Sequence, residues 1–217
     1  MKYYVRTTGE RDLSNYSFLD YTPLYDYEHK PVKSFIEQMK IISDNDSLFM
    51  EDDIAFCKDF EKRVKEAIER FPNRVINFFY LPLAYLFTGE VKGERFLYNQ
   101  CVYYPKGVAG KIAQEMERLV KEGIKWTQYD EIQGVAMKNL GIDFINYRPC
   151  LVQHMGKNSL LGNKWIAEAK TIYFIDDLEG MDYDDAKLML EFGYKQYDKL
   201  GIKYTKPKII YKKDLAK

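Results

Sequence analysis

The chain has 217 residues, of which 46% are hydrophobic and 30% are charged, a balance typical of a folded globular protein. Its 33 basic residues equal its 33 acidic residues in number, so the molecule as a whole has no basic field that would attract nucleic acid. No apolar stretch approaches the roughly 20 residues of a membrane span and the N-terminus has no apolar signal region, so we predict a cytoplasmic protein without membrane contact.

The N-terminal residues have the composition of a β-strand. Lys2–Thr7 is rich in aromatic and β-branched residues and runs into a polar turn that contains Gly9. A loop after the first strand is where α/β folds commonly hold a nucleotide, so Arg6 and Arg11 are candidates for contact with a phosphate or base. The pattern is of low specificity, because the loop has neither a GxGxxG motif nor a P-loop lysine.

An apolar run that ends on three acids follows a second predicted strand at 21–27 and a helix. Ser47–Asp53 has the sequence Ser-Leu-Phe-Met-Glu-Asp-Asp, which is typical of a strand buried on both faces. Such a strand would deliver Glu51, Asp52 and Asp53 to the edge of a sheet. Adjacent carboxylates repel one another, so a divalent cation or a cationic side chain would be needed to keep them ionised. The alternative is that Asp52 and Asp53 cap the next helix.

Strands and helices continue to alternate after the acids. A helix is predicted over about 59–70 and a strand over 74–79, which indicates parallel βαβ units. The pattern changes at 81–94, where we predict a substrate-specific insertion, and 96–104 alternates like a strand or half of a hairpin.

Two further helices are predicted at 107–121 and at about 130–140. Asp130 and Glu131 stand at the start of the second helix, where the helix dipole favours negative charge. Helix capping alone would explain both acids. The alternative is that they take part in chemistry.

His154 follows a short strand at 144–147 and an apolar segment, and it precedes a polar loop. A lone histidine is more often structural than a metal ligand. The chain has only two histidines, so this one is a candidate to bind a metal ion together with Asp53.

The C-terminal part is predicted to be helical at about 184–200 and to end in a lysine-rich tail. We interpret Asp176 and Asp177 as loop or capping residues. The lysines from Lys203 onward form either a solvated tail or a phosphate-binding arm.

Three segments together resemble the GT-A glycosyltransferases, which use nucleotide sugars. They are Phe49–Ile54 (FMEDDI), Tyr129–Glu131 and the stretch 149–160 (PCLVQHMGKNSL). The last is similar to Pro-Ser-Leu-x-Gln-His-x-Gly-x-x-Ser-Ser-Leu in the N-acetylglucosaminyltransferase IV family and to small phage and bacterial relatives. This chain has Cys150 in place of the small polar residue and Leu160 in place of the second serine, which leaves the donor sugar open.

The resemblance implies an α/β, Rossmann-like GT-A fold with a mostly parallel central sheet flanked by helices. It implies a glycosyltransferase domain over 1–165 and a C-terminal helical extension with a basic tail over 166–217, packed on the same domain. The implied activity is inverting and metal-dependent, and it moves a sugar from a nucleotide-diphosphate donor, in first place a UDP-sugar, to a hydroxyl. The acceptor would be a hydroxymethylated base of phage DNA or a glycan, in the cytoplasm of a bacterium or of a phage-infected host cell.

The resemblance also implies roles for single residues. Asp53 and His154 would hold Mn²⁺ or Mg²⁺, and Asp130, or in second place Glu131, would take the proton from the acceptor hydroxyl. The residues implied in donor binding are Arg6, Thr7, Thr8, Arg11, Glu51, Asp52, Lys157, Asn158 and Ser159.

Two other functions are compatible with the same residues. In a metal-dependent phosphoesterase or nuclease, the three acids and His154 would hold two ions for attack by water. In a non-catalytic GT-A-like binding module, the fold alone would be retained.

Overall fold

The computed structural model of the chain describes residues 1–79, 88–124, 128–147 and 150–154. These residues form a mixed α/β fold. Nine strands occur in them: β1 (Lys2–Thr7), β2 (Tyr21–Tyr25), β3 (Ser47–Glu51), β4 (Ile54–Phe56), β5 (Val75–Asn77), β6 (Gly89–Val91), β7 (Cys101–Tyr104), β8 (Phe144–Asn146) and β9 (Val152–His154). The α-helices are α1 (Pro31–Ile41), α2 (Phe60–Arg70), α3 (Val108–Lys121) and α4 (Tyr129–Asn139).

Seven of the strands form one sheet in the order β2-β1-β3-β7-β5-β8-β6. The strand β1 pairs in parallel with β2 and β3, and β5 pairs in parallel with β8. In contrast, β7 lies antiparallel between β3 and β5, and β6 lies antiparallel beside β8. The sheet is therefore mixed, and the prediction of a mostly parallel sheet is wrong in this respect.

The difference has a simple cause in the connections between strands. Hydrophobic periodicity identifies a strand but not its direction, and a parallel neighbour needs a long crossover that is usually helical. Between β6 and β7 the chain has only the 3₁₀ turn Gly93–Arg95. Among the described residues between β5 and its neighbour β7, no α-helix occurs that would form such a crossover.

Helices cover both faces of the sheet. One core lies under α1, α3 and α4 and includes Tyr4 and Phe49, whereas the other lies under α2 and includes Tyr3 and Leu48. Consecutive residues of a strand point to opposite faces. The central strands are therefore buried on both sides, which explains the continuous apolar run of β3.

The chain order reverses at β1, because β2 and β3 lie on opposite sides of it. In open α/β sheets, ligands bind beyond the carboxyl ends of the strands at such a reversal. There, β1 ends at Thr7 and β3 ends at Glu51, and the register pairs Arg6 with Glu51. The crevice between the loops that follow these strands is thus the expected ligand site.

A separate two-stranded sheet is formed by β4 and β9, which pair antiparallel and place Ile54 opposite His154. Since β4 begins directly after Asp53, this pairing brings the histidine to the acidic turn. The helix α2 begins later, at Phe60, and its N-cap residue is Asp59. Asp52 and Asp53 therefore do not cap that helix.

Several predictions concern residues outside the described ranges. They are the predicted boundary at residue 165, the helical extension over 166–217, and the capping role of Asp176 and Asp177. Within the described ranges, no helix is both long and apolar enough to cross a membrane.

Candidate functional site

Buried polar side chains follow the edge of the sheet at which β1, β3, β5 and β8 end. Because β7 runs antiparallel, its first residue lies at this same edge. The buried polar residues of the edge are Arg6, Thr7, Asp26, Asn77, Asn99, Gln100 and Asn146. Buried polar groups cost free energy unless they are hydrogen-bonded. Their concentration at the edge where α/β sheets bind ligands marks it as the candidate site.

Arg6 is the centre of a buried network at this edge. Its Nη2 lies 3.1 Å from Asp26 Oδ2, and its Nη1 lies 3.6 Å from Glu51 Oε1. The guanidinium also stands 4.7 Å from the centre of the Tyr129 ring, whose hydroxyl donates to Glu51 Oε1. Burial raises the pKa of Glu51, and the positive charge of Arg6 only partly opposes this effect. The network thus holds the Glu51 carboxyl in one place.

The backbone of the acidic turn is fixed by Tyr16, a fully buried residue. Its hydroxyl donates to the carbonyl oxygen of Glu51 at 2.5 Å and accepts from the backbone N–H of Ile54 at 3.4 Å. These bonds join the end of β3 to the start of β4. The two acids between these strands are therefore held on a short, anchored turn.

Arg11 supplies the counter-charge for that acidic turn. Its Nη1 lies 2.6 Å from Asp52 Oδ1 and 2.7 Å from Asp53 Oδ2, so a single nitrogen bridges both carboxylates. The other oxygens, Asp52 Oδ2 and Asp53 Oδ1, are buried without a hydrogen-bond partner among the described residues. The turn therefore has a cationic neighbour and also two carboxylate oxygens that the described part of the chain leaves without a hydrogen bond.

His154 lies against the second of these acids. Its Nε2 is 3.0 Å from Asp53 Oδ2, and the two residues are 101 positions apart in the chain. Burial raises the pKa of Asp53, but the hydrogen bonds and charges of His154 and Arg11 outweigh that effect, so the pKa lies below the ordinary aspartate value. The Asp53 carboxylate is therefore ionised at neutral pH.

The pair of Asp53 and His154 has donors and a spacing that fit a divalent cation. Neighbouring ligands on an octahedral ion with bonds of about 2.1 Å lie about 3 Å apart, which is close to the separation of their two donor atoms. Among the described residues, His, Cys, Asp and Glu side chains do not form a ligand group of three or more. A cation here would complete its shell with water or phosphate oxygens, as Mg²⁺ commonly does.

Asp130 lies in the first turn of α4, and the N-cap position is Gln128. Its Oδ2 accepts from the backbone N–H of Tyr98 at 3.3 Å, and its Oδ1 accepts from the N–H of Glu131 at 3.0 Å. Burial raises the pKa of Asp130. Burial and the charge of Asp130 raise the pKa of Glu131 as well. Asp130 thus joins the helix start to the loop before β7, at the same edge of the sheet.

The loop after β1 carries the other predicted donor residues that the structure describes. Thr7 Oγ1 accepts from the N–H of Gly9 at 2.9 Å, which closes the turn. Thr8 Oγ1 is buried and has no hydrogen-bond partner among the described residues. The predicted donor loop of Lys157, Asn158 and Ser159 lies outside those residues.

Two exposed tyrosines stand beside this loop at the end of β2. The rings of Tyr25 and Tyr27 are stacked, with centres 4.7 Å apart and planes at 7°. They are 46% and 69% exposed. Gly9 packs against them at a φ of +85°, where a Cβ would lie 3.3 Å from the Tyr27 ring. This stacked pair offers an open aromatic face at the border of the crevice.

The sequence reasoning missed Asp26 and Tyr16 as members of the site. The available signal for Asp26 was its position directly after a strand that neighbours β1. Nothing in the sequence pattern distinguished Tyr16 from the other tyrosines of the chain, which has 19 in total.

Comparisons with known proteins add little. No model of a known protein family matches the chain, and no curated protein matches it. Among solved structures it is similar to A197 from STIV, with 12% sequence identity and a TM-score of 0.45 over 70% of this chain and 84% of that one. A similarity of this extent carries no argument about what the chain does.

Proposed function

We propose that the chain is an inverting glycosyltransferase with a Rossmann-like GT-A fold that uses a divalent cation and a nucleotide-diphosphate sugar. The observation that carries this proposal is the 3.0 Å contact between Asp53 and His154. This contact brings together two of the motifs that carry the resemblance, although they are far apart in the chain. It lies at the edge of the sheet where α/β folds bind ligands. The helices on both faces and the reversal of chain order at β1 support the same fold.

In this proposal Asp53 and His154 hold Mn²⁺ or Mg²⁺. When bound, the cation would stabilise the negative charge that develops on the leaving diphosphate. An imidazole beside a carboxylate favours Mn²⁺ over Ca²⁺. Thr8, whose buried hydroxyl has no partner among the described residues, would donate to an oxygen of the donor.

The nucleotide would lie between the end of β3 and the end of β2. Glu51, held by Tyr129 and Arg6, would accept from a hydroxyl of the donor. The Arg6 side chain is only 9% exposed and already paired, so its part is to orient Glu51 rather than to touch a phosphate. The stacked rings of Tyr25 and Tyr27 would pack against the base, since aromatic faces bind planar rings at low entropic cost.

Asp130 is the group proposed to take the proton from the acceptor hydroxyl. An inverting transfer needs such a base on the face of the sugar opposite the leaving group. The raised pKa of Asp130 makes its carboxylate a stronger base than an ordinary aspartate. Glu131, in the same helical turn, is the second candidate.

A thermal-shift screen tests this function. We expect a UDP-sugar to raise the Tm only when Mn²⁺ is present, and GDP-, CDP- and TDP-sugars to do so less. A ligand at one hundred times its Kd stabilises by about 2.7 kcal/mol, which corresponds to roughly 5–10 °C for a chain of this size.

Variants tested in the same screen show which residues the Tm shift depends on. Asp53→Asn and His154→Ala should remove the part of the shift that depends on Mn²⁺, whereas Glu90→Gln, at an exposed ion pair with Arg74, should keep it. The proposal fails if none of the four donors at millimolar concentration shifts the Tm with Mn²⁺ present. Cleavage of plain nucleic acid without any sugar donor would favour the phosphoesterase instead.

A further inference from the structure

We infer that Arg11 and the divalent cation compete for the Asp53 carboxylate, so that binding of the cation releases Arg11 for contact with the diphosphate. The inference rests on the proposed function, because that proposal supplies the cation. The site would then have two states, one with Arg11 paired to the acids and one with the cation bound.

The competition follows from the position of one nitrogen atom. Arg11 Nη1 bridges Asp52 Oδ1 and Asp53 Oδ2 at 2.6 and 2.7 Å. A cation bound by Asp53 Oδ2 and His154 would stand about 2.1 Å from that same oxygen, and hence within about 5 Å of the nitrogen. Two positive charges so near to each other repel strongly in a partly buried site. The guanidinium and the cation therefore exclude each other.

Arg11 is placed so that it can leave. It lies in the loop between β1 and a short 3₁₀ turn at Ser14–Tyr16, and its side chain is 25% exposed, compared with 7% and 11% for its two partner carboxylates. The guanidinium thus covers the acids from the solvent side.

Arg6 differs in this respect. It is 9% exposed and pairs with the buried Asp26, so it stays in the interior and does not compete.

The exchange couples the binding of cation and donor. While Arg11 is paired with the acids, it lowers the apparent affinity of the site for the cation, because the cation binds only those molecules whose Asp53 carboxylate has released Arg11. Once the guanidinium is displaced, its planar array of donors suits a diphosphate well. Cation and nucleotide sugar would then each strengthen the binding of the other.

The test measures binding of Mn²⁺ alone, without donor, by loss of the electron paramagnetic resonance signal of free Mn²⁺. Arg11→Gln should bind Mn²⁺ about ten-fold more tightly than the unchanged protein, because the competing cation has been removed. Asp53→Asn should lose the binding. Arg74→Gln removes one positive charge from an exposed pair with Glu90 and serves as the matched control, which should bind like the unchanged protein.

Each outcome separates this inference from the proposed function. Equal or weaker Mn²⁺ binding by Arg11→Gln overturns the competition but leaves the cation site in place. Equal tightening by Arg74→Gln also overturns it, because the effect would then come from net charge. If neither the unchanged protein nor Arg11→Gln binds Mn²⁺, or if Asp53→Asn binds as well as both, the cation site itself is refuted.

Discussion

Replacement of Asp26 by Asn tests the buried network that holds Glu51. The Asp26 side chain is 4% exposed and its partner Arg6 is 9% exposed, with 3.1 Å between the charged atoms. Loss of one partner of such a pair leaves an uncompensated buried charge and costs about 3–5 kcal/mol. Arg6 keeps Glu51 at 3.6 Å, so we expect the lower end, about 3 kcal/mol. An Asn can still accept from the N–H of Lys30 through Oδ1, so the turn before α1 keeps that bond.

Urea unfolding and thermal unfolding, both followed by far-ultraviolet circular dichroism, measure this change in the free energy of unfolding. A loss of about 3 kcal/mol lowers the Tm of a chain of this size by roughly 6–12 °C. Glu90→Gln is the control, because Glu90 and Arg74 are 51% and 35% exposed and such a surface pair contributes at most about 1 kcal/mol. If Asp26→Asn costs no more than this control, the pair of Arg6 and Asp26 does not stabilise the fold as described.

Two further predictions concern the reaction and the nucleotide. Asp130→Asn should lower turnover by about 10²–10⁴-fold while the thermal shift with donor and Mn²⁺ persists. The proposed base is active when deprotonated, so the rate of the unchanged protein should rise with pH through the raised pKa of Asp130, and a variant that retains the same rise would rule this base out. Tyr27→Ala should weaken UDP binding about ten-fold in calorimetry with little loss of stability, since a stacked base contributes about 1–3 kcal/mol. Phe18→Ala, another exposed aromatic, is the control, and equal weakening by both would argue against a stacking site.

The sequence predicted the elements of the first half of the sheet well, because their signals are local. Lys2–Thr7 was predicted from composition and is β1, and the apolar run from Ser47 is β3, which ends at Glu51. The second strand was predicted two residues too long, since β2 ends at Tyr25 and the side chain of Asp26 turns inward to Arg6. Local patterns thus give the existence of strands more reliably than their ends.

Contacts between residues that are far apart in the sequence cannot be predicted from such local patterns. The nearness of Asp53 and His154 was expected from the resemblance, and the structure places them in contact. The bridging position of Arg11 was not foreseen, since a cation and a cationic side chain satisfy two acids equally well in a sequence. The antiparallel direction of β7 was missed for a related reason, because direction depends on the path of the connection rather than on the strand.

The central position of β7 also has a consequence for synthesis of the protein. Within the seven-stranded sheet β3 and β5 are consecutive along the chain, but β7 lies between them and is made later, at Cys101–Tyr104. Until the ribosome has released those residues, both strands present unpaired backbone groups and apolar side chains. Exposed edges of this kind attract other chains. Nascent chains that stall before residue 101 should therefore depend on chaperones far more than chains that have passed it.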